Sequence, residues 1–251
     1  MKEIKLKIQN ATELNSVLNS FLKKFSNLEK SILIKLYGDS IVSTMSNLQK
    51  SVVKYNKTDI SRVVEIANME TEPIYIPLII GDKLTKVLDF FGDSGLDLTI
   101  IYDEIEDKNV ALSLKFQNDT LNMELPCSKI TLFKVSAQIT DVILEKLSDT
   151  DDNLYSIDLE SSTINKLKNL STNNINDELY FNSDKNGIFF KGDNFQFKIS
   201  DSVGVDNRYG FSKNNIKNID NENYKMFMME DKAVYKTEDS DTVVIISKLI
   251  E

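Results

Sequence analysis

The chain has 251 residues, of which 41% are hydrophobic, and its formal net charge is −9. This length suits one large domain or two ordinary domains with a sizeable core. The chain has no histidine, which excludes hydrolases built on Ser-His-Asp or Cys-His pairs and excludes zinc sites with histidine ligands. The acidic balance argues against a protein that binds nucleic acid over its whole surface, but it permits one local basic face.

The composition also bears on the compartment. No apolar run approaches the roughly 18 residues of a membrane span, and a strand pattern follows Met1-Lys2-Glu3 directly, without the apolar core of a signal peptide. The single cysteine, Cys127, cannot form an internal disulfide, which fits a reducing compartment. We therefore expect a cytoplasmic protein without a membrane partner.

The first segment has the pattern of a strand, a helix and three further strands. Apolar residues alternate at Ile4, Leu6 and Ile8, and either Asn10 or Thr12 can then cap a helix. The helix is predicted by one wide apolar stripe, which consists of Leu14, Val17, Leu18, Phe21, Leu22 and Phe25. Strands then centre on Ile32 to Leu36, on Ile41-Val42 and on Val52 to Tyr55, with a turn at Gly38-Asp39.

The second segment, from Val63 to Cys127, repeats this order. A strand at Ile74 to Leu78 precedes a helix that Gly81-Asp82 opens and Gly92 closes. The apolar stripe of this helix consists of Leu84, Val87, Leu88 and Phe91. Three alternating runs follow, centred on Leu98 to Ile101, on Ala111 to Leu114 and on Leu121 to Leu125.

The third segment, from Tyr155 to Ser200, shows the pattern most clearly. Ser161 is the predicted N-cap of a helix with Ile164, Leu167 and Leu170 on its apolar face, and Asn173-Asn174 end it. Asp184-Lys185-Asn186-Gly187 resembles the start of a calcium loop but lacks the distal glutamate, so we predict a β-hairpin there. Strands centre on Leu179 to Phe181, on Ile188 to Phe190 and on Phe195 to Phe197.

The fourth segment runs from Val203 to the end, with a short helix at Ser212 to Ile219 and three strands that include Tyr224 to Met228, Ala233 to Tyr235 and Val243 to Ile246. Four tandem β-α-β-β-β units predict an α+β fold of two similar domains, with helices on one face of antiparallel sheets. We predict domains at 1–127 and 154–251. An interdomain connector at 128–153 contains an amphipathic stretch (Ile139, Val142, Ile143, Leu147) that could equally be an ordinary core helix.

Each predicted helix carries lysine or neutral polar residues opposite its apolar stripe. The lysines are Lys23, Lys24, Lys83, Lys86, Lys166, Lys168 and Lys217, and the outward asparagines include Asn165, Asn169, Asn214 and Asn218. Because the chain as a whole is acidic, this pattern separates lysine and neutral polar residues on the helices from most of the acidic residues. It fits a surface that meets phosphates without reading bases, and it also fits a solubilising polar face, so composition leaves both interpretations open.

Catalytic and metal-binding patterns are weak. Asp103-Glu104-Glu106-Asp107 is best explained as a solvated turn, and the phosphate-binding glycine motifs and the RNA-binding aromatic motif do not occur. We predict no cofactor and no enzyme, and we can nominate no carboxylate pair for a hydrolase. The apolar residues Met45, Leu48, Ile245, Ile246 and Leu249 could line a pocket for a partner peptide or could simply be core.

Three stretches carry a family resemblance. They are Asp39 to Met45 followed by Ser51 to Val53, Tyr155 to Gly192, and the C-terminal run VIISKLIE. With them, nearly the whole chain resembles a DNA polymerase sliding clamp of the two-domain type, which includes proliferating cell nuclear antigen and the T-even-type bacteriophage clamps. The spacing from Tyr209 to the end is most similar to the bacteriophage clamps, which suggests viral DNA replication in a host cytoplasm.

The resemblance implies a non-enzymatic processivity factor. A homotrimeric ring would encircle double-stranded DNA with helices inside and sheets outside, would be placed there by a clamp loader, and would tether DNA polymerase. By position, the seven lysines above would face DNA; Met45, Leu48, Ile245 and Ser247 would border the partner-peptide pocket; and Leu121, Met123, Leu125, Phe195, Phe197 and Ile199 would lie in the subunit interface. The alternative is a two-domain α+β scaffold or interaction protein that does not encircle DNA.

Overall fold

The computed structural model describes residues 1–29, 31–66, 72–79, 82–133, 136, 138–139, 141–202 and 205–249. By its internal contacts the chain forms two compact units. Unit 1 comprises Met1–Met45 and Asn56–Ile139, and unit 2 comprises Ser46–Tyr55 and Thr140–Glu251. The boundary between the two units at 139/140 falls inside the predicted connector 128–153. The short segment 46–55 is grouped with unit 2.

Within the described ranges, unit 1 combines helices with a set of paired strands. Its elements are β1 Lys2–Ile8, α1 Ala11–Phe25, β2 Ile32–Tyr37, β3 Ser40–Ser46, β4 Val52–Asp59, β5 Val64–Ile66, β6 Ile74–Leu78, α2 Asp82–Asp89, β7 Leu96–Ile105, β8 Lys108–Gln117 and β9 Asn122–Pro126. The unit boundary crosses β4 between residues 55 and 56. Gly81, which was predicted to open α2, lies outside the described residues.

The strands of unit 1 follow the order β3-β2-β6-β8-β7-β1-β5, and β9 pairs with β8 beside this path. The β1–β5, β1–β7, β2–β3, β2–β6, β7–β8 and β8–β9 pairs are antiparallel. The sheets are thus mostly antiparallel, as predicted, and the β6–β8 pair is parallel. The long connection through α2 and β7 permits this geometry. Strand β5 is a further element that the sequence analysis missed.

The core of unit 1 forms because the apolar faces of helices and strands have matching periods. Leu14, Leu18, Phe21 and Phe25 are buried along α1, and they share one cluster with Ile4, Leu6 and Ile8 of β1 and with Leu84 and Leu88 of α2. Asn10 is the N-cap of α1, since its side-chain oxygen accepts a hydrogen bond from the Glu13 amide at 3.1 Å. The predicted strand and helix are thus confirmed.

Unit 2, as far as its residues are described, combines helices with strands of two sheets. Its elements are α3 Asp141–Ser148, β10 Tyr155–Leu159, α4 Ser161–Asn173, β11 Glu178–Asp184, β12 Gly187–Lys191, β13 Gln196–Ser200, β14 Asn207–Ser212, β15 Tyr224–Met228, β16 Lys232–Lys236 and β17 Thr242–Ser247. One sheet contains the order β10-β15-β16-β17, and a four-stranded sheet has the order β13-β12-β11-β14. The inner face of the smaller sheet is aromatic, with the rings of Phe181, Phe190 and Phe211 in mutual contact.

Three local predictions for unit 2 can be judged. The hairpin at 184–187 is confirmed, and Gly187 has a φ of +127° there, where a Cβ would lie 2.3 Å from the Ser200 carbonyl oxygen. The N-cap of α4 is Glu160, and Ser161 is the first helical residue, so the predicted Ser161 cap was wrong. The helix predicted at 212–219 was also wrong, because only a 3₁₀ turn forms at Asn215–Asn218.

The described part of the predicted connector includes a 3₁₀ turn and the helix α3. A 3₁₀ turn at Ile130–Phe133 packs Ile130 and Phe133 against Leu33 and Val110 of unit 1. Helix α3 belongs to unit 2, where Leu147 packs against Val234, Val243 and Ile245. Val142 and Ile143 are exposed on α3, so only part of the predicted amphipathic stretch is buried.

Candidate nucleic-acid interface

In unit 1 the two helices pack side by side in opposite directions. The backbone amides of Ala11 and Thr12 donate to the carbonyls of Ser94 and Gly92, so the start of α1 lies beside the end of α2. The Asn15 side-chain amide donates to the Asp89 carboxylate one turn further along. Lys23 and Lys24 in the last turn of α1 and Lys83 at the start of α2 therefore lie toward the other end of the pair, whereas Lys86 is in the last turn of α2.

These lysines are accessible. Lys23, Lys83 and Lys86 are exposed, and Lys24 is half-buried. Glu13 is in the first turn of α1 and the Asp89 carboxylate at the end of α2 is bound by Asn15, whereas Asp82 is the first residue of α2. Three of the four lysines therefore lie toward the end of the pair that is away from Glu13 and Asp89.

In unit 2, the lysines of α4 and the 3₁₀ turn are held by neighbouring side chains. The Lys166 ammonium group is exposed and lies 5.9 Å from the centroid of the Phe197 ring on β13, within the range of a cation–π contact. The half-buried Lys168 donates to the Asn221 side-chain oxygen at 2.7 Å, and the exposed Lys217 donates to the Asn214 side-chain oxygen at 3.1 Å. These contacts restrict where the three positive charges can lie.

Burial and a nearby carboxylate act in opposite directions on Lys168. Desolvation lowers the pKa of its ammonium group, and the negative charge of Asp220 partly offsets that shift. The face also contains neutral amides: Asn165, Asn169 and Asn214 are exposed as predicted. Asn218, in contrast, is buried and donates to backbone carbonyls, so its predicted outward orientation was wrong.

Two polar contacts behind this face were not found from sequence. The Lys54 ammonium on β4 forms an ion pair with Asp220 at 2.8 Å, and the Lys213 ammonium donates to the Asn174 carbonyl at 2.9 Å, at the C-terminal end of α4. A cation at this position satisfies carbonyls that the helix leaves unpaired. No spacing rule links residues so far apart in the chain, so the sequence offered no signal for either contact.

The residues predicted for the subunit interface lie on or beside strands at sheet edges. Among the residues that the structure describes, β9 pairs only with β8 and β13 pairs only with β12. Leu121, Met123, Phe195, Phe197 and Ile199 are half-buried, and Leu125 is buried. Met123 lies opposite Phe116 and Phe197 lies opposite Phe190, so these side chains lie on the core faces of their sheets.

The residues predicted for the partner-peptide pocket differ in accessibility. Met45 is a core residue of unit 1 and is 2% exposed, and Ile245 is 4% exposed in the core of unit 2. Leu48 is 88% exposed, on a turn where the Asn47 side-chain oxygen accepts from the Ser51 and Val52 amides. The Ser247 amide donates to the Ser51 carbonyl at 2.9 Å.

The described part of the chain contains no group of three or more metal-binding side chains arranged to hold an ion. Asp103 and Glu104 lie at the end of β7, and the β7–β8 turn consists of Glu106 and Asp107, which are exposed and have positive φ. Only the second half of the predicted solvated turn is therefore a turn. None of the helices within the described ranges is long and apolar enough to cross a membrane.

No family model and no curated protein matches this chain. Its fold is nevertheless that of DNA polymerase sliding clamps, which confirms the predicted fold class and the resemblance. Proliferating cellular nuclear antigen from Entamoeba histolytica superposes with a TM-score of 0.63 at 13% identity, covering 99% of this chain and 98% of that one. A. fulgidus PCNA, solved with the C-terminal region of FEN-1, gives a TM-score of 0.61 at 15% identity and covers 99% of both chains.

Bacterial clamps have the same fold in a longer chain. The DNA polymerase III beta chain from Streptococcus pneumoniae gives a TM-score of 0.65 at 12% identity and covers 99% of this chain. Our chain spans only 65% of the length of that protein. The nearly complete mutual coverage with the two PCNA chains agrees with the two-domain type of clamp that the sequence resembles.

Proposed function

We propose that this protein is a sliding clamp, a non-enzymatic processivity factor that closes as a homotrimer around double-stranded DNA and tethers a DNA polymerase. The observation that carries the proposal is the segregation of lysines on the helices of a clamp fold in a chain of net charge −9. Such lysines attract phosphates regardless of sequence, as sliding requires. A clamp loader and a viral setting in a host cytoplasm are parts of this proposal.

The edge strands support the assembly part of the proposal. An unpaired strand edge tends to pair with another chain, and ring closure would satisfy both edges. We propose that β13 of one subunit pairs with β9 of the next, which would cover the half-buried Phe197 and Met123. On the other faces of these strands the exposed Lys198 and Glu124 supply opposite charges, so the two edges are electrostatically matched.

The oligomeric state tests the ring. Mass measurement in solution at micromolar concentration should give three times the 28.6 kDa chain mass, and negative-stain images should show a ring with a central hole. Phe197→Asp should shift the mass to that of a monomer, because it places a charge in the pairing edge. The matched control is Ile175→Asp, on an exposed loop residue after α4, and it should leave the trimer intact. A stable wild-type monomer would favour the scaffold alternative.

Partner binding completes the proposal. Leu48 is the accessible apolar residue of the predicted pocket set, and the Asn47 hydrogen bonds hold its turn in one conformation. A preordered turn loses little backbone conformational entropy when a partner covers it. We therefore propose Leu48 as the main contact for the partner peptide, with Ser247 beside the same turn; Met45 and Ile245 are buried in the cores of their units.

A further inference from the structure

Unit 2 contains a lysine that is almost fully buried. Lys54 lies on β4 with 1% of its surface exposed, and its Nζ is 2.9 Å from Oδ1 and 2.8 Å from Oδ2 of Asp220. The Asp220 side chain is 24% exposed. A buried ion pair of this kind is often no more stabilising than two apolar side chains of the same volume, so fold stability is a weak reason for its presence.

The position of Asp220 suggests a different reason. It follows the 3₁₀ turn that carries Lys217 and precedes Asn221, which accepts the hydrogen bond from Lys168. The Ser51 hydroxyl also donates to the Asn215 side-chain oxygen in the turn at 3.3 Å. The carboxylate of Asp220 is therefore close enough to Lys168 to interact with it electrostatically, and it is three residues from Lys217 in the chain.

An uncompensated carboxylate at this position would repel phosphates. Its field would reduce the attraction from Lys168 and Lys217 because charges at a protein surface act over several ångströms at low salt. Tyr224 interacts electrostatically with Asp220 and Glu222, and neither Tyr224 nor Glu222 supplies a positive charge at neutral pH. Lys168, which also interacts electrostatically with Asp220, is itself one of the lysines assigned to DNA. Lys54 supplies a positive charge from the sheet side, where it makes no contact with solvent.

We propose that Lys54 is a positioning residue for DNA binding, which neutralises Asp220 from behind and so lets that carboxylate anchor the 3₁₀ turn without weakening the basic surface. This inference rests on the proposed function and adds a specific role to a residue outside the DNA-facing set. It predicts that loss of Lys54 weakens DNA binding and that loss of the Asp220 charge does not.

This difference follows from the charges left behind. Lys54→Met leaves Asp220 negative and should weaken binding of a short fluorescent duplex at low salt by roughly two- to threefold per subunit, the size expected for one charge acting through water over about 8 Å. Asp220→Asn leaves Lys54 positive and should leave binding unchanged or strengthen it. The double variant restores electrical balance and should bind as the wild type does, and Lys54→Arg should also retain binding.

Stability must be controlled because either single variant leaves a buried charge unpaired. Binding is therefore measured at a low temperature at which circular dichroism shows all variants folded, and melting temperatures are recorded in parallel. Equal losses of binding in Lys54→Met and Asp220→Asn would mean that the pair is merely structural, which overturns the inference while leaving the clamp proposal intact. Absence of DNA binding in the wild type would overturn both.

Discussion

The sharpest test of the DNA-facing assignment is neutralisation of three exposed lysines, Lys23, Lys86 and Lys166, by glutamine. Each lies on a helix outside the apolar stripe, so the substitutions should leave the cores unchanged. Each phosphate contact contributes about 0.9 to the slope of log affinity against log salt. The variant should therefore lower the slope by about 2.7 if one subunit's three lysines engage the duplex.

This change is large enough to measure. When the salt concentration rises from about 50 to 200 mM, a slope difference of about 2.7 means that the wild type loses roughly 40-fold more DNA affinity than the variant does. The assay is equilibrium binding of fluorescent duplexes of two unrelated sequences across a salt series. Both sequences should respond alike, because contacts to phosphates do not depend on base identity.

A matched control comes from the sheets. Lys7, Lys115 and Lys225 are exposed, and each alternates with buried residues of its strand, so each lies on the face away from the core that the helices cover. Their triple substitution by glutamine removes the same charge and should leave the slope close to that of the wild type. Equal reductions in the two triple variants would show that only net charge matters and would refute the helix-face assignment.

Two further predictions concern single residues. Leu48→Ala should weaken binding of the cognate polymerase about tenfold, because burying a leucine contributes about 1.5–3 kcal/mol and 1.4 kcal/mol corresponds to a factor of ten in affinity. DNA binding should persist in this variant. Unchanged polymerase binding would mean that the contact lies elsewhere. Burial raises the pKa of the Cys127 thiol to about 12, so iodoacetamide at pH 8 should alkylate the folded protein far more slowly than the unfolded chain. The pKa of this thiol is higher in the folded protein than in the unfolded chain, where it is about 8.5. Burial of the neutral thiol therefore contributes fully to the free energy of unfolding below about pH 8.5, and this contribution falls as the pH rises toward 12. Equal alkylation rates for the folded and unfolded protein would contradict the burial of Cys127.

Local periodicity was sufficient for most elements and for the lysine face. The stripe from Leu14 to Phe25 predicts α1 because residues three and four positions apart share one face of a helix. The same geometry places Lys23, Lys86 and Lys166 outside their stripes, where the structure shows them exposed. Turn chemistry was similarly local, as Gly187 shows with its positive φ.

Local rules failed where element length or a distant partner decided the outcome. Three residues of β5 carry too little pattern to be recognised, and pairing with β1 defines that strand. In the fourth segment a short helix was predicted at Ser212 to Ile219, but a 3₁₀ turn forms at Asn215–Asn218, and polar contacts from Ser51 and Lys54 help to hold it. Such contacts depend on folding, and sequence spacing does not encode them.

The sequence by itself determined the alternation of strands and helices, the segregation of lysine from acid, and the resemblance to sliding clamps. Only the tertiary structure decided the parallel β6–β8 pair, the unpaired edges of β9 and β13 among the described strands, and the partner of Asp220. The physical reason is the distance along the chain over which each kind of interaction acts. Backbone periodicity and capping act within a few residues, whereas Lys54 meets Asp220 across 166 positions of the chain, and only the packed sheet brings such residues together.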